Sequence, residues 1–474
     1  MTRQALFRLV LGIAFTMIGV HRGEAQSDAE RLEKLERAVE LLQKRNLELE
    51  QEVRSLKRGT VSTPVRTPEP APKPAEESKP VAEHASEKKE RKPVFATAAA
   101  SELKLTLGGF IQAQAEAGDV FAFEGRFAQG TGEIKDRFRI RRGRISLSGD
   151  YTEHFDFKAE GEFSQSDTAL TVRDANGETL ASNATRTSFG ATDIFINWHS
   201  FPGFNLKAGQ FKAPFGLEQL TPDTKLFTAE RSLVTTALTP ERQIGVQIWG
   251  KPLTDLWPEQ KDLITYYAGA FNGTGRNTTV NDNSEFMYVG RMEVQALRSQ
   301  ILNQETSIKV GAQGLSSRDE TGTSISSVLR ENSDGSLSGL SLPSPGTRKA
   351  YGFDLSLRAG PFDLVAEYIS EQLNPRSAVP LFSRFTAEGY YLQGSYFVLP
   401  KKLQLVTKWE SFDPDQAPND DIKSITAGLN YYLKGDDLKL LANYIHTWSD
   451  FREANPESGE SDFDEVILRL QVMF

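Results

Sequence analysis

Residues Phe463 to Phe474 read FDEVILRLQVMF, and their alternation is the strongest statement the chain makes about its fold. Val466, Leu468, Leu470, Val472 and Phe474 share one side of an extended chain, while Ile467, Arg469, Gln471 and Met473 share the other. A period of two belongs to a strand with one apolar and one wet face. A tilted strand of about ten residues is also what crosses a bilayer as part of a closed barrel. A half-buried strand of a soluble sheet would alternate in the same way, so the rest of the chain has to decide between them.

The pattern recurs from Leu103 onward. Phe155, Phe157, Ala159, Gly161 and Phe163 alternate with Asp156, Lys158, Glu160, Glu162 and Ser164, and Ile425 to Lys434 does likewise. Sixteen such segments are expected, near 103–117, 134–149, 153–165, 191–200, 204–213, 242–251, 262–272, 285–297, 305–316, 349–359, 361–372, 385–398, 402–412, 422–434, 437–448 and 463–474. Their connections alternate in length. Gly149–Thr152, Phe201–Gly203, Gly360, Leu399–Lys401 and Gly435-Asp436 are short, whereas Gly118–Glu133, Ser166–Gly190, Pro214–Glu241, Ser317–Arg348 and Ser449–Asp462 are long. Long loops on one rim and short turns on the other describe a transmembrane barrel, and a soluble sandwich has no reason for them. Two links, Pro252–Lys261 and Arg298–Gln304, are longer than that scheme wants. Aromatics near strand ends (Tyr266, Trp409, Phe412, Trp448, Phe451) suit interface girdles. The expected fold is all-β: a sixteen-stranded antiparallel transmembrane β-barrel over 101–474.

Three segments precede it. Residues 1–25 carry Arg3 and Arg8, the apolar run Leu9 to Val20 and a small-x-small site at Gly23-Glu24-Ala25, which reads as a secretory signal. No later run of apolar residues is long enough for a helical membrane span. Residues 26–58 read as an α-helical coiled coil: Leu32, Leu35, Val39, Leu42, Asn46, Leu49, Val53 and Leu56 follow 3-4 spacing, with Asn46 inside the seam. The a and d residues alone favour two chains. Residues 59–100 hold seven prolines among Glu and Lys and should form a disordered, extended periplasmic linker reaching on the order of 100 Å.

Composition excludes several functions. The chain has no cysteine, hence no disulfide framework and no thiolate metal site. Without the signal's Arg3, Arg8, Arg22 and Glu24, 52 basic side chains face 63 acidic ones, so no nucleic-acid partner is indicated. No cofactor or metal motif appears, and neither Gly-x-Ser-x-Gly nor His-Glu-x-x-His is present. An enzyme would need a base near a nucleophile. His199, on the lumen side of its strand, has no serine motif beside it.

A barrel of sixteen strands is too wide for side chains to fill, and the inward parity is polar, so its interior should be water. Lys104, Lys158, Lys207, Arg291, Lys309, Arg358, Lys408, Lys439 and Arg469 point inward with Glu116, Glu160, Glu162, Glu293, Asp354, Asp363, Glu367 and Glu410. Many of these should pair across the wall. Two places stand out. Arg137 to Arg144 puts five arginines in eight residues on one strand, and a bulge at Arg142-Gly143 would turn Arg139, Arg141 and Arg144 inward. Arginine's permanent charge and fixed fork of donors suit the handover of an oxyanion. The other is Pro214–Glu241, the third long loop, which offers Lys225, Glu230 and Arg231 for a constriction.

At these residues the chain resembles the phosphate-selective porin O and P family. The resemblance rests on FRIRRGRISLSGDY (138–151), AGQFKAPFGLEQL (208–220) and the following ERSL and ERQIGV, and extends over about 103–474. It implies sixteen strands, a homotrimer in outer-membrane lipid, an inward third loop and passive diffusion of small anionic solutes such as phosphate. It places Arg139, Arg141 and Arg144 on the basic strand, with Lys212, Lys225, Arg231 and Arg242 around the constriction. The acidic balance and the coiled coil depart from that pattern. A trimeric barrel would also ask the N-terminal helices to associate in threes. The alternative is a general porin that tethers the outer membrane to the peptidoglycan through this N-terminal segment.

Overall fold

The computed structural model describes residues 95–96 and 103–474, apart from 120–135, 152, 165–170, 174–178, 183–188, 282, 302–303, 320–323, 332–336, 342–345, 376–383, 416–418 and 457–459. The signal and coiled-coil expectations lie outside the described residues, as does nearly all of the linker.

Sixteen strands form one closed antiparallel wall: β1 Leu103–Gly118, β2 Arg137–Tyr151, β3 Phe155–Glu162, β4 Gly190–Phe201, β5 Phe204–Lys212, β6 Arg242–Gly250, β7 Ile264–Phe271 and β8 Met287–Ile301, then β9 Gln304–Asp319, β10 Gly346–Ala359, β11 Phe362–Pro375, β12 Phe385–Leu399, β13 Leu403–Asp413, β14 Ile422–Tyr432, β15 Leu438–Ser449 and β16 Asp462–Met473. Each pairs with its sequence neighbour, and β16 closes the ring on β1 with Phe110 opposite Met473 and Gly118 opposite Glu465. Closure leaves no open edge, as a strand in hydrocarbon requires. All sixteen expected segments are strands. Arg298–Gln304 is no long link after all: β8 runs to Ile301 and β9 starts at Gln304, leaving 302–303 between them. The β6–β7 link stays long and carries a 3₁₀ turn, Pro258–Gln260.

The seam has its own lock. Phe474 N–H donates to the Gly109 carbonyl and Gly109 N–H donates to Phe474 O, both at 3.0 Å. A Cβ on Gly109 would lie 2.7 Å from the Phe474 ring and 2.4 Å from the Arg144 carbonyl oxygen, so only glycine lets that ring lie against β1. Below this point β1 overhangs β16, and Phe95 and Ala96 pair there with Leu105 and Lys104.

The two faces separate as the alternation requires. Leu468, Leu470, Val472 and Phe474 face outward with Leu440, Tyr444, Ile425, Leu429, Leu392 and Leu405, an apolar surface suited to lipid, while Arg469, Gln471, Lys439, Asn443, Lys408 and Gln404 are buried inside. Trp409 and Trp448 pack on the outer face with ring centroids 5.3 Å apart and the rings tilted, near the long-loop rim. Phe412 does not join that girdle: it is fully buried and points inward.

Phe412 belongs to the apolar seat of the inward third loop, which the expected polar lumen did not include. The third long loop folds into the barrel as two short helices, α1 Leu217–Leu220 and α2 Leu233–Leu238, with a 3₁₀ turn at Asp223–Lys225 between them. Leu233, Val234, Ala237 and Leu238 of α2 form one buried cluster with Phe271, Met287, Ile369, Leu373, Phe385, Phe412 and Ile422. These wall residues sit at the long-loop ends of β7, β8 and β11–β14, so the polar inward parity gives way to apolar residues where the loop docks. Burying each large side chain contributes about 1.5–3 kcal/mol, which makes the loop a fixed part of the wall. Gly389 clears the way: a Cβ there would meet Val234 at 3.1 Å and the Ser411 carbonyl oxygen at 2.6 Å.

Candidate functional site

The AGQFKAPFGLEQL stretch explains how the loop enters the lumen. Gly209 (φ +128°) and Gly216 (φ +85°) hold backbone angles that side chains disfavour. Phe211 and Phe215 are buried between them. Lys212 Nζ donates to the carbonyls of Gln219 at 2.6 Å and Thr221 at 3.3 Å, tying the end of β5 to the end of α1. Glu218 accepts from both the N–H and the hydroxyl of Ser232 at 2.8 Å, and the Ser232 hydroxyl in turn caps α2 through Thr235 N–H.

Carboxylates of the wall hold the two helix N-termini, where free N–H groups favour negative charge. Glu367 of β11 accepts from Leu217 N–H at 2.6 Å and Glu218 N–H at 3.1 Å, and Glu410 of β13 accepts from Leu233 N–H at 2.6 Å. Between the helices the wall takes the loop's carbonyls instead. Gln471 donates to Thr224, Lys439 to Leu226, Asn430 to Phe227 and Lys408 to Glu230. The buried Lys408 and Lys439 are therefore anchors of the loop.

On the long-loop side of this plate, between the loop and β2–β6, lies a cavity of about 1070 Å³. Nine cationic side chains line it: Arg137, Arg139, Arg141, Arg142, Arg144, Lys212, Arg231, Arg242 and Arg276. Four carboxylates oppose them, Glu162, Asp223, Glu230 and Glu241. Glu116, Glu160 and Asp193 stand behind the lining and pair with it.

The bulge of β2 lies at Arg141, one residue before the expected Arg142-Gly143, because Gln112 faces Arg142 while Ala113 faces Ile140. The shift turns two consecutive arginines, Arg141 and Arg142, toward the lumen and leaves Phe138, Ile140, Ile145 and Leu147 all outward. Arg142 is thereby a lining residue that the expected bulge missed.

Each arginine of the row has a carboxylate. Arg139 meets Glu116 at 2.6 Å. Arg141 grips Glu230 with two bonds of 2.8 and 2.9 Å. Arg142 lies 3.3 Å from Asp223, and Arg144 bridges Glu162 and Asp223 at 2.6 Å each. Arg231 binds Asp223 at 2.5 Å and the Thr221 carbonyl at 2.8 Å, and Arg242 binds Asp193 at 2.7 Å. Burial alone would raise the two loop carboxyls. Arg231, Arg142 and Arg144 around Asp223, and Arg141, Arg469 and Arg142 around Glu230, hold both well below the usual carboxylate range.

Six of the seven expected site residues, Arg139, Arg141, Arg144, Lys212, Arg231 and Arg242, thus meet at one cavity. Lys225 does not. It lines a much smaller space on the loop's other face with Leu217, Phe227, Ser356, Tyr391 and Gln393. Neighbours in a helical turn point different ways, which the spacing of a loop sequence does not reveal. Arg137 and Arg142 were visible in the basic run but were not singled out. Arg276, in the loop between β7 and β8, carries no signal in the sequence.

Residues 114–474 match the model of the family described as phosphate-selective porin O and P. Porin O of Pseudomonas aeruginosa is 23% identical over 424 residues, covering 79% of this chain and 89% of that protein. Among solved structures the barrel is similar to the anion-selective porin from Comamonas acidovorans (12% identity, TM-score 0.50, covering 78% of this chain and 100% of that one). It is also similar to a loop-deletion mutant of the Vibrio cholerae outer membrane protein OmpT (10% identity, TM-score 0.50, covering 79% and 100%). These structural likenesses concern the fold, and the family match spans the basic strand and the inward loop as well. The chain is a member of the phosphate-selective porin O and P family of outer-membrane channels.

Proposed function

We propose that this barrel is an anion-preferring diffusion channel for small hydrophilic oxyanions, phosphate among them. The observation that carries the reading is the lining of the large cavity, nine cations against four carboxylates, in a chain whose overall charge is −9. An ion in transit responds to the groups lining its path, because low-dielectric walls focus their field. The whole-chain charge also counts many residues that do not line this cavity. Arg139, Arg141, Arg144, Arg231 and Arg242 would pass an oxyanion along by exchanging it against their carboxylate partners, and Lys212 would hold the loop in place. Lys225 acts from the opposite face.

The natural assembly on this reading is a homotrimer with long loops outside the cell and the N-terminal segment in the periplasm. The heptads of 26–58 favour an added role, in which a helical bundle on a proline-rich spacer engages the peptidoglycan. Reversal potentials of the full-length protein in asymmetric KCl, with and without phosphate, test the channel reading. Anion preference with phosphate block supports it, and cation preference overturns it. Deleting 26–95 should leave conductance intact while weakening envelope attachment.

A further inference from the structure

Among the nine cations of the cavity, Arg276 alone, within the described residues, has a charged group that makes no ion pair and no hydrogen bond, its backbone carbonyl accepting only from Thr278 Oγ1 at 3.4 Å, although the residue is partly buried. Its position is nevertheless fixed. Gly275 N–H donates to Gln243 Oε1 at 2.9 Å, and Asn277 N–H donates to Gln210 Oε1 at 2.7 Å. Gln210 Nε2 returns a bond of 3.2 Å to Asn277 Oδ1 and is itself held by the Thr192 carbonyl at 2.8 Å. Gly275 (φ +90°) and Asn277 (φ +62°) both lie in the left-handed region. Two wall glutamines thus clamp a tight turn on either side of one arginine and present it to the cavity.

We propose that Arg276 is the entry subsite of the channel, the group that first captures a small oxyanion on the long-loop side and hands it to Arg144 and Arg242. The proposal rests on the anion-channel reading above and adds a residue and a direction to it. Every other lining cation must give up a carboxylate or a carbonyl before it can bind a solute. Among the described residues no carboxylate or carbonyl bonds the Arg276 guanidinium directly, Glu241 and Glu162 acting on it only at longer range, so an oxyanion gains its two-pronged bonding without breaking such a bond. Burial draws the pKa of Arg276 down. Glu241 opposes that pull, while Arg242 and Arg144 add to it, so a bound anion would relieve this cation. Thr236 lines the same cavity and adds a hydroxyl group for a guest.

The test is block of chloride current by inorganic phosphate added to one side at a time, with the full-length protein in planar bilayers. Arg276→Gln should weaken block from the long-loop side by about tenfold, the scale of one charge-assisted contact, and Arg276→Lys should restore part of it. From the short-turn side the loss should be smaller. Gln210→Ala keeps the arginine but frees its turn, and should weaken the same one-sided block by a smaller factor. Heat-modifiable migration on gels confirms that each variant has assembled. A native pore that prefers anions, with Arg276→Gln leaving the block unchanged from both sides, would overturn the subsite and leave the channel reading standing. A native pore that prefers cations would overturn the channel reading itself.

Discussion

Glu230 is where the loop's charge and the pore's selectivity are expected to be most tightly linked, and Glu230→Gln separates them. The carboxylate holds Arg141 through two bonds and Arg469 through a contact of 2.5 Å, with Arg142 at 3.9 Å and Arg139 at 4.0 Å. Glutamine keeps the shape and one acceptor but removes the charge, so the lining changes from nine cations against four carboxylates to nine against three. A unit charge about 8 Å from the path, at an effective dielectric of about 20, contributes about 2 kcal/mol, which salt reduces to about 1 kcal/mol. That corresponds to about a fivefold gain for an anion and a similar loss for a cation, hence about a thirtyfold rise in the anion-to-cation permeability ratio. The opposing risk is that the loop comes loose. Weakening the bonds to Arg141 and Arg469 costs about 1–3 kcal/mol. Four apolar side chains of α2 remain buried against the wall, and Arg469 keeps Gln114 and the Ala229 carbonyl, so the loop should stay seated. Reversal potential in asymmetric KCl reads the result, with channel noise as the check on seating. An unchanged potential, or a shift toward cations with quiet channels, would show that the cavity is not on the permeation route.

Other consequences follow from the anchors and the seam. Glu367→Ala leaves two helix N–H groups without their acceptor, and with Glu410→Ala the loop should detach at both ends. Single-channel records should then show noisier and larger conductance, and quiet channels of native size would mean that the apolar cluster and the remaining wall donors suffice to hold the loop. Gly109→Val should abolish the heat-resistant folded band on gels, because its side chain meets both the Phe474 ring and the Arg144 carbonyl, whereas Phe474→Ala should lower it only in part. A peptide spanning 29–58 should be helical and oligomeric, with Asn46→Ile raising its melting temperature and loosening its stoichiometry. Sedimentation gives the count, for which three fits a trimeric barrel, and a monomeric unfolded peptide would contradict the coiled coil.

The barrel was legible because its signal is local and repeated. FDEVILRLQVMF places Leu468, Leu470 and Val472 outside and Arg469 and Gln471 inside by parity alone, and the structure keeps that assignment. Strand ends were less clear where polar residues continue a ladder, as at Arg298 to Ile301, since hydrogen bonding to β9 does not depend on side-chain polarity. A bulge is legible in the sequence because Phe138 and Ile140 have the opposite parity to Ile145 and Leu147, so one irregularity between them is needed to turn all four outward. Its position is not, because the Arg141-Arg142 pair satisfies either register. The inward third loop was expected, but its apolar seat on the wall is not legible in the sequence. Phe412, Leu373 and Phe271 look like ordinary inward or girdle residues until α2 covers them, and that contact joins positions far apart in the chain. Arg276 depends on Gln210 and Gln243, two residues whose side chains carry no pattern before they meet the turn.

The claim that the basic strand sets selectivity is tested most directly by Arg139→Glu with Arg141→Glu in one barrel. The lining would become seven cations against six carboxylates, and with Glu116, Glu160 and Asp193 counted, seven against nine. The local field should therefore change sign. The reversal potential in asymmetric KCl should move from anion to cation preference, and phosphate should cease to block the chloride current. A double variant that assembles normally and keeps the native reversal potential would mean that these arginines serve only as partners of Glu116 and Glu230.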